Sequence, residues 1–160
     1  MFRHWVTNMT KPLFSKIDCV RIPVDTLENG LDFYSKKLGH QVLWKTETAV
    51  GLELSDDKSE IVLYTGADGL EIDFQVEDVQ QAVNAFVQAG GGLVTKPFDI
   101  PIGKCVVVSD PWENQFVILD ASKGTFETDE HKQVMGLKKR NIADVICFSN
   151  TDSSYEVNLE

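Results

Sequence analysis

The 160-residue chain is 42% hydrophobic, carries a formal net charge of −10 and has three cysteines: enough for one sizeable core, too little for two independent domains. The acidic balance argues against phosphate-backbone binding, which needs clustered Lys and Arg, and an odd, sparse cysteine set argues for a reducing cytoplasm over a disulfide scaffold. No apolar run approaches the roughly 20 residues that a bilayer span needs, and residues 2–5 lack a signal peptide's apolar stretch, so neither nucleic acid nor membrane is an expected partner.

Residues 1–15 read as a loose N-terminal extension, with Met9 as an alternative start, because the periodic pattern begins at Lys16. A strand over 17–24 leads into a helix over 25–38, with Asp25 or Thr26 as N-cap and Glu28 favourable to the dipole in the first turn. Three β-rich runs follow, over 41–48, 50–54 and 60–65, the last two separated by the turn-like Ser55, Asp56, Asp57 and Lys58. After a linker at 66–69 come a strand over 70–76, a helix over 78–89 and strands over 93–98, 104–109 and 114–120. Beyond Asp120 the pattern dissolves. A helix over 125–139 carrying Val134, Met135 and Leu137 and a short strand over 144–148 are expected there, with Lys138, Lys139 and Arg140 as a solvated helix end. The appendage is expected to pack over an edge or a neighbouring subunit.

Two of these stretches are the same unit written twice. A constant shift of 52 residues carries Val24 onto Val76, Asp25 onto Glu77, Leu27 onto Val79, Leu31 onto Val83, Tyr34 onto Phe86 and Gly39 onto Gly91. Each helix has one apolar stripe (Leu27, Leu31, Tyr34 and Leu38; Val79, Val83 and Phe86, with Ala82 and Ala89 beside it) and ends at a Gly, where a C-cap needs positive φ. The course is βαβββ twice, an α+β domain over 16–121 with modules 16–66 and 69–121, followed by an appendage at 122–160.

Few residues have the spacing for chemistry. His4, His40 and His131 form no pair with ligand spacing and read as solvent-exposed. Cys19 is either a nucleophile activated by Arg21, two residues along on the same strand face, or a small buried apolar side chain with no histidine base. Glu71 and Asp73 share one strand face and offer either paired carboxylates for acid–base work or a pair of which Arg21 neutralises one. Gly90, Gly91 and Gly92 follow a helix and precede a strand, the reverse of the order that binds phosphate, and read as a C-cap and turn.

Duplicated βαβββ modules, Asp32, Phe33 and Tyr34 followed by Leu38 and Gly39, and Asp110 and Pro111 followed by Asn114 together resemble the vicinal oxygen chelate superfamily. That group includes glyoxalase I, extradiol dioxygenases and the bleomycin-resistance binding proteins, and the resemblance covers residues 16–121. It implies two cupped mixed sheets of the glyoxalase/bleomycin-resistance type, often built between two chains of a homodimer. The family's last turn usually reads Asp-Pro-x-Gly-Asn; Glu113 stands here at the Gly, which is expected to alter the turn and leave the fold intact. The resemblance also places four metal-ligand positions, on Cys19, at or near Val62, on Glu71 and on Val117. Two aliphatic side chains and a soft thiol are a poor set for an octahedral ion.

The reading these residues favour is a metal-free small-molecule-binding protein, used for sequestration or sensing, with no cofactor. Its pocket is expected on the concave face of the sheets, lined by Cys19, Arg21, Tyr64, Glu71, Asp73, Gln115 and Val117, with Trp44 and Trp112 nearby. The acidic pair favours a ligand with a cationic or hydroxylated group. The alternative is a metal-dependent lyase, isomerase or dioxygenase with a rearranged site using Glu71, Asp73 and Cys19. A third reading, an interaction module recruiting a partner, rests only on the acidic tail.

Overall fold

The computed structural model describes residues 11–55, 59–66 and 69–139. Strand β1 (Lys16–Pro23) leads into helix α1 (Leu27–Leu31), which runs on as a π-helical stretch, Asp32–Lys37. Strands β2 (Val42–Lys45), β3 (Ala49–Glu53) and β4 (Glu60–Tyr64) complete the first module. The second contains β5 (Glu71–Gln75), α2 (Val79–Gln88), β6 (Gly92–Leu93), β7 (Phe98–Ile100), β8 (Gly103–Ser109) and β9 (Gln115–Leu119). Strands β10 (Thr125–Thr128) and β11 (Val134–Lys138) follow as a hairpin.

The two halves form one continuous sheet in the order β2-β3-β4-β1-β5-β9-β8-β6, with β7 also paired to β8. Each half has its first strand parallel to its last, β1 to β4 and β5 to β9, and the halves meet through the antiparallel β1·β5 pair. Cys19 lies opposite Asp73, and Arg21 opposite Glu71. The shift of 52 equates Cys19 with Glu71 and Arg21 with Asp73, so these are one pair with its members exchanged, as a twofold between the strands requires. Likewise Arg21 faces Val62 as Asp73 faces Val117. The cup is thus completed within a single chain.

Both helices start on equivalent caps. The Thr26 hydroxyl accepts from the Asn29 amide at 3.1 Å, and the Asp78 carboxylate from the Gln81 amide at 2.7 Å. Their ends differ, because the π turn, in which the Leu38 amide returns to the Phe33 carbonyl, holds one extra residue. The left-handed residues that terminate the helices are therefore Gly39 (φ +86°) and Gly90 (φ +107°), not Gly91. Gly91 is needed for space instead, since a Cβ there would lie 2.1 Å from the Phe86 ring. The extra residue also turns Leu38 off its expected stripe, to 53% exposure. Leu27, Leu31 and Tyr34 pack on Val50, Leu52 and Leu63, while Val79, Ala82, Val83 and Phe86 bury against Val106, Val108 and Ile118, and Ala89 stays exposed.

Three further expectations are corrected. The strand over 93–98 is split into β6 and β7, because Pro97 has no amide to give the ladder. Residues 13–15 belong to the packed fold, with the Ser15 amide on the Gln75 carbonyl at 2.8 Å and Phe14 stacked on Phe74 at 4.6 Å. The helix expected over 125–139 is the β10–β11 hairpin, and Lys138 ends a strand. Thr125, Thr128 and Val134 are β-branched and Gly136 disfavours helix; the Asp129 carboxylate ties the turn by accepting from the His131 and Gln133 amides, both at 2.9 Å. The hairpin crosses to the first module, where the Lys45 amide donates to the Lys132 carbonyl at 2.7 Å and covers the β2 edge. The strand expected over 144–148 lies outside the described residues. Among those residues, no helix is long and apolar enough to cross a membrane.

Candidate ligand-binding site

The concave face holds a half-open cavity of about 650 Å³, within the size range of small-molecule sites. Its floor is the β1·β5 seam. There Arg21 donates to Glu71 at 2.8 Å, and its guanidinium lies 4.4 Å over the Tyr64 ring. Tyr64 is buried beneath it and its hydroxyl donates to the Gly69 carbonyl at 2.7 Å. Of the two carboxylates on this face of β5, Glu71 is therefore the one Arg21 neutralises. Asp73, 5% exposed, is left with the Cys19 thiol, which donates to its Oδ2 at 3.4 Å; its Oδ1 has no hydrogen-bond partner among the described residues. Burial, then the Glu71 charge, push the Asp73 carboxyl up to about 7.

Cys19 sits beside these acids and is buried. Burial first, then the Asp73, Asp18 and Glu60 charges, push its thiol far above the ordinary range, so it remains protonated. With Arg21 engaged by Glu71, the nucleophile reading gives way to the small buried side chain. Cys105, from β8, also lines the cavity; burial and the charges of Asp73 and Glu71 push it up to about 11.

One wall is set by Trp44. Its ring lies across Gly51, where a Cβ would be 2.2 Å from the indole nitrogen, and that nitrogen donates to Glu60 at 2.8 Å. The hairpin brings Phe126 to 5.1 Å from the Trp44 ring, so the appendage helps roof the cup, with Thr125 and Thr128 at its rim. Phe98, Ile100 and Ile102 form the opposite wall above Val117 and Leu119. Burial pushes up the Glu60 carboxyl, against the Trp44 hydrogen bond.

Of the residues expected in the pocket, Cys19, Arg21, Trp44, Glu71, Asp73 and Val117 line the cavity together. Tyr64 supports Arg21 from below. Gln115 is exposed, and Trp112, 80% exposed, stands in the β8–β9 turn; both lie outside the lining. In that turn Glu113 takes φ +68°, a left-handed conformation suited to glycine, while the Asp110 carboxylate accepts from the Trp112 and Asn114 amides at 2.9 Å. Sequence reasoning missed Glu60, Asp18, Phe98 and Phe126. Glu60 faces Cys19 through the parallel β1·β4 register, a pairing without a local sequence signal.

Cys19, Val62, Glu71 and Val117, on or near which the resemblance puts the family's four ligands, all line the cavity. They do not fit a divalent ion: the valines have no donor atom, Glu71 is held by Arg21, and Cys19 offers only a soft thiol. His40 is turned to the Glu53 carbonyl at 3.0 Å, His131 lies in the exposed hairpin turn, and His4 is outside the described residues. Among the described residues, no group of three or more His, Cys, Asp or Glu side chains is placed to hold a metal.

Two βαβββ modules sharing one cup define the vicinal oxygen chelate fold. The chain belongs to the Glyoxalase/Bleomycin resistance protein/Dioxygenase superfamily, whose sequence model matches residues 16–118. No curated protein is significantly similar in sequence. Among solved structures, it is similar to methylmalonyl-CoA epimerase from Mycobacterium tuberculosis, at 14% identity over 70% of this chain and 91% of that one, TM-score 0.61. It is also similar to a protein described as NAD-dependent benzaldehyde dehydrogenase from Legionella pneumophila, at 20% identity over 64% and 97% of the two chains, TM-score 0.55. Homoprotocatechuate 2,3-dioxygenase from Brevibacterium fuscum matches at 21% identity over 69% of this chain but 37% of its own, TM-score 0.53. At these identities the likeness is one of fold.

Proposed function

We propose that this protein is a metal-free small-molecule-binding member of the superfamily, holding its ligand in the cup for sequestration or sensing. One observation supports the reading: a half-open cavity of about 650 Å³ is lined by the residues on which the resemblance puts the family's metal ligands, and of these Val62 and Val117 carry no donor atom and Glu71 is paired with Arg21. Purified protein is expected to contain far less than one equivalent of nickel, zinc, iron or manganese, and chelator leaves its melting temperature unchanged. Restoring donors with Cys19→His, Val62→Glu, Glu71→His and Val117→Glu raises metal affinity. Stoichiometric metal in the unmodified protein, lost in Glu71→Ala, would overturn the reading and promote a metal-dependent lyase, isomerase or dioxygenase using Glu71, Asp73 and Cys19. Native mass spectrometry of the purified protein is the direct search for a retained ligand.

A homodimer goes with this reading. The sheet ends at β6, where Leu93 and Val94 are 44% and 47% exposed, an edge that a second copy can pair with. Light scattering is expected to give twice the 17.9 kDa chain mass; a monomer at tens of micromolar protein rejects the dimer.

A further inference from the structure

The charged groups lining the cup do not balance. Lys16 reaches Asp18 at 3.6 Å and Arg21 holds Glu71 at 2.8 Å. Two more carboxyl groups line the same cavity: Glu60, whose hydrogen bond comes from the neutral Trp44 indole, and Asp73, whose hydrogen bond comes from the Cys19 thiol. Asp73 is 95% buried and its Oδ1 has no partner among the described residues. A buried carboxylate oxygen without a donor is unfavourable in the empty protein, so a ligand that brings a donor, and above all a positive one, gains more there than it would in water. The rest of the lining limits the shape of such a ligand. Trp44 and Phe126 meet at 5.1 Å beside Glu60, and the facing wall of Phe98, Ile100 and Val117 is apolar. Aromatic faces next to carboxylates attract cations as well as flat apolar surface.

From this we infer that the cup selects organic ammonium ions, amines with a flat apolar body, placing the N–H donors on Asp73 and Glu60 and the body against Trp44 and Phe126. The inference rests on the small-molecule-binding reading and narrows it from any ligand to a cationic one. A carboxylate ligand meets four acids in the lining against two bases, and a neutral alcohol brings a weaker donor.

The test uses three probes that share one ring and differ in the head group: 2-naphthylmethylamine, 2-naphthylmethanol and 2-naphthoate, titrated calorimetrically into the full chain at neutral pH. The amine is expected to bind roughly tenfold to a hundredfold more tightly than the alcohol, as suits a buried charged hydrogen bond, and the carboxylate more weakly than either. Asp73→Asn is expected to collapse the amine's advantage over the alcohol, and Glu60→Gln to reduce it by a smaller factor. Two variants on different strands keep the test informative if one fails to fold. An alcohol or carboxylate that binds as tightly as the amine overturns the ammonium inference and leaves the binding reading standing. So does an amine preference that survives both substitutions. If none of the three probes binds, the ammonium inference falls, and the binding reading, which names no aromatic ligand, is decided by the metal content and native mass spectrometry.

Discussion

Asp73→Asn is expected to stabilise the folded protein, with a gain that is small near pH 4 and full above about pH 7. The wild-type carboxyl ionises at about 7 in the fold against an ordinary 3.8. Between those values the folded protein holds a proton that the unfolded chain has already lost, so stability falls as pH rises through this window and then levels off. The interval corresponds to on the order of 4 kcal/mol against keeping the ionised group in place at pH 8. Asparagine has the same shape and no charge, though its amide also needs partners, so a gain of about 2–3 kcal/mol is expected at pH 8. In a chain of this length that is a rise of roughly 5–10 °C in melting temperature. Melting curves of both proteins from pH 4 to pH 8 check it, and the difference between them removes the parallel contributions of Asp18 and Glu60, which burial also raises. A difference that does not grow with pH, or an asparagine variant less stable at pH 8, rejects the account. A residue whose removal stabilises the empty protein marks a place where the fold is strained for something other than folding, and the unpartnered Asp73 oxygen beside the cavity is that place.

Asp120→Ala is expected to act in the opposite direction and by somewhat more. Asp120 is 2% exposed and accepts from three backbone amides: Val79 at 3.0 Å, Lys104 at 3.1 Å and Ser122 at 3.1 Å. It fastens the first turn of α2, the start of β8 and the turn after β9 to one point. Burial tends to raise its pKa, but hydrogen bonds from Ser122, Val79 and Lys104 outweigh that and hold the carboxyl below the usual range. The unfolded chain therefore takes up a proton first on acidification. The stabilisation is present above the ordinary carboxylate range and is lost as pH falls through the folded value. Alanine leaves three amides without their acceptor and is expected to cost about 3–5 kcal/mol, or roughly 10 °C in melting temperature. Denaturant unfolding at pH 7 checks it, and a loss below about 1 kcal/mol would show that water replaces the carboxylate.

The fold was largely legible in the sequence, because the features that carry it are local or periodic. Thr26 and Asp78 cap the helices in equivalent places, the apolar stripes of Leu27, Leu31 and Tyr34 and of Val79, Val83 and Phe86 face the sheet, and the shift of 52 holds through β1 and β5. Where it slips, at Gly90 against Gly91, one residue of π winding is responsible, and such winding depends on hydrogen bonds that composition does not reveal. The hairpin was misread as a helix because its stability comes partly from the β2 edge it reaches, 133 − 45 = 88 residues earlier in the chain.

The candidate site was half legible. Cys19, Arg21, Glu71 and Asp73 alternate on two strands, so the sequence alone placed them on one face. The resemblance, read from the same sequence, also implies ligand positions at or near Val62 and on Val117, where no donor atom stands. Only the tertiary structure decided which acid Arg21 neutralises, since that follows from the cross-strand register of Arg21 with Glu71, and left Asp73 without a cation in contact. It likewise decided that Glu60 and Phe126 join the wall, through a parallel pairing and a hairpin crossing whose partners lie far apart in the chain. Pattern along a strand records which face a side chain takes; the partner across the seam is set by the packing of the whole sheet.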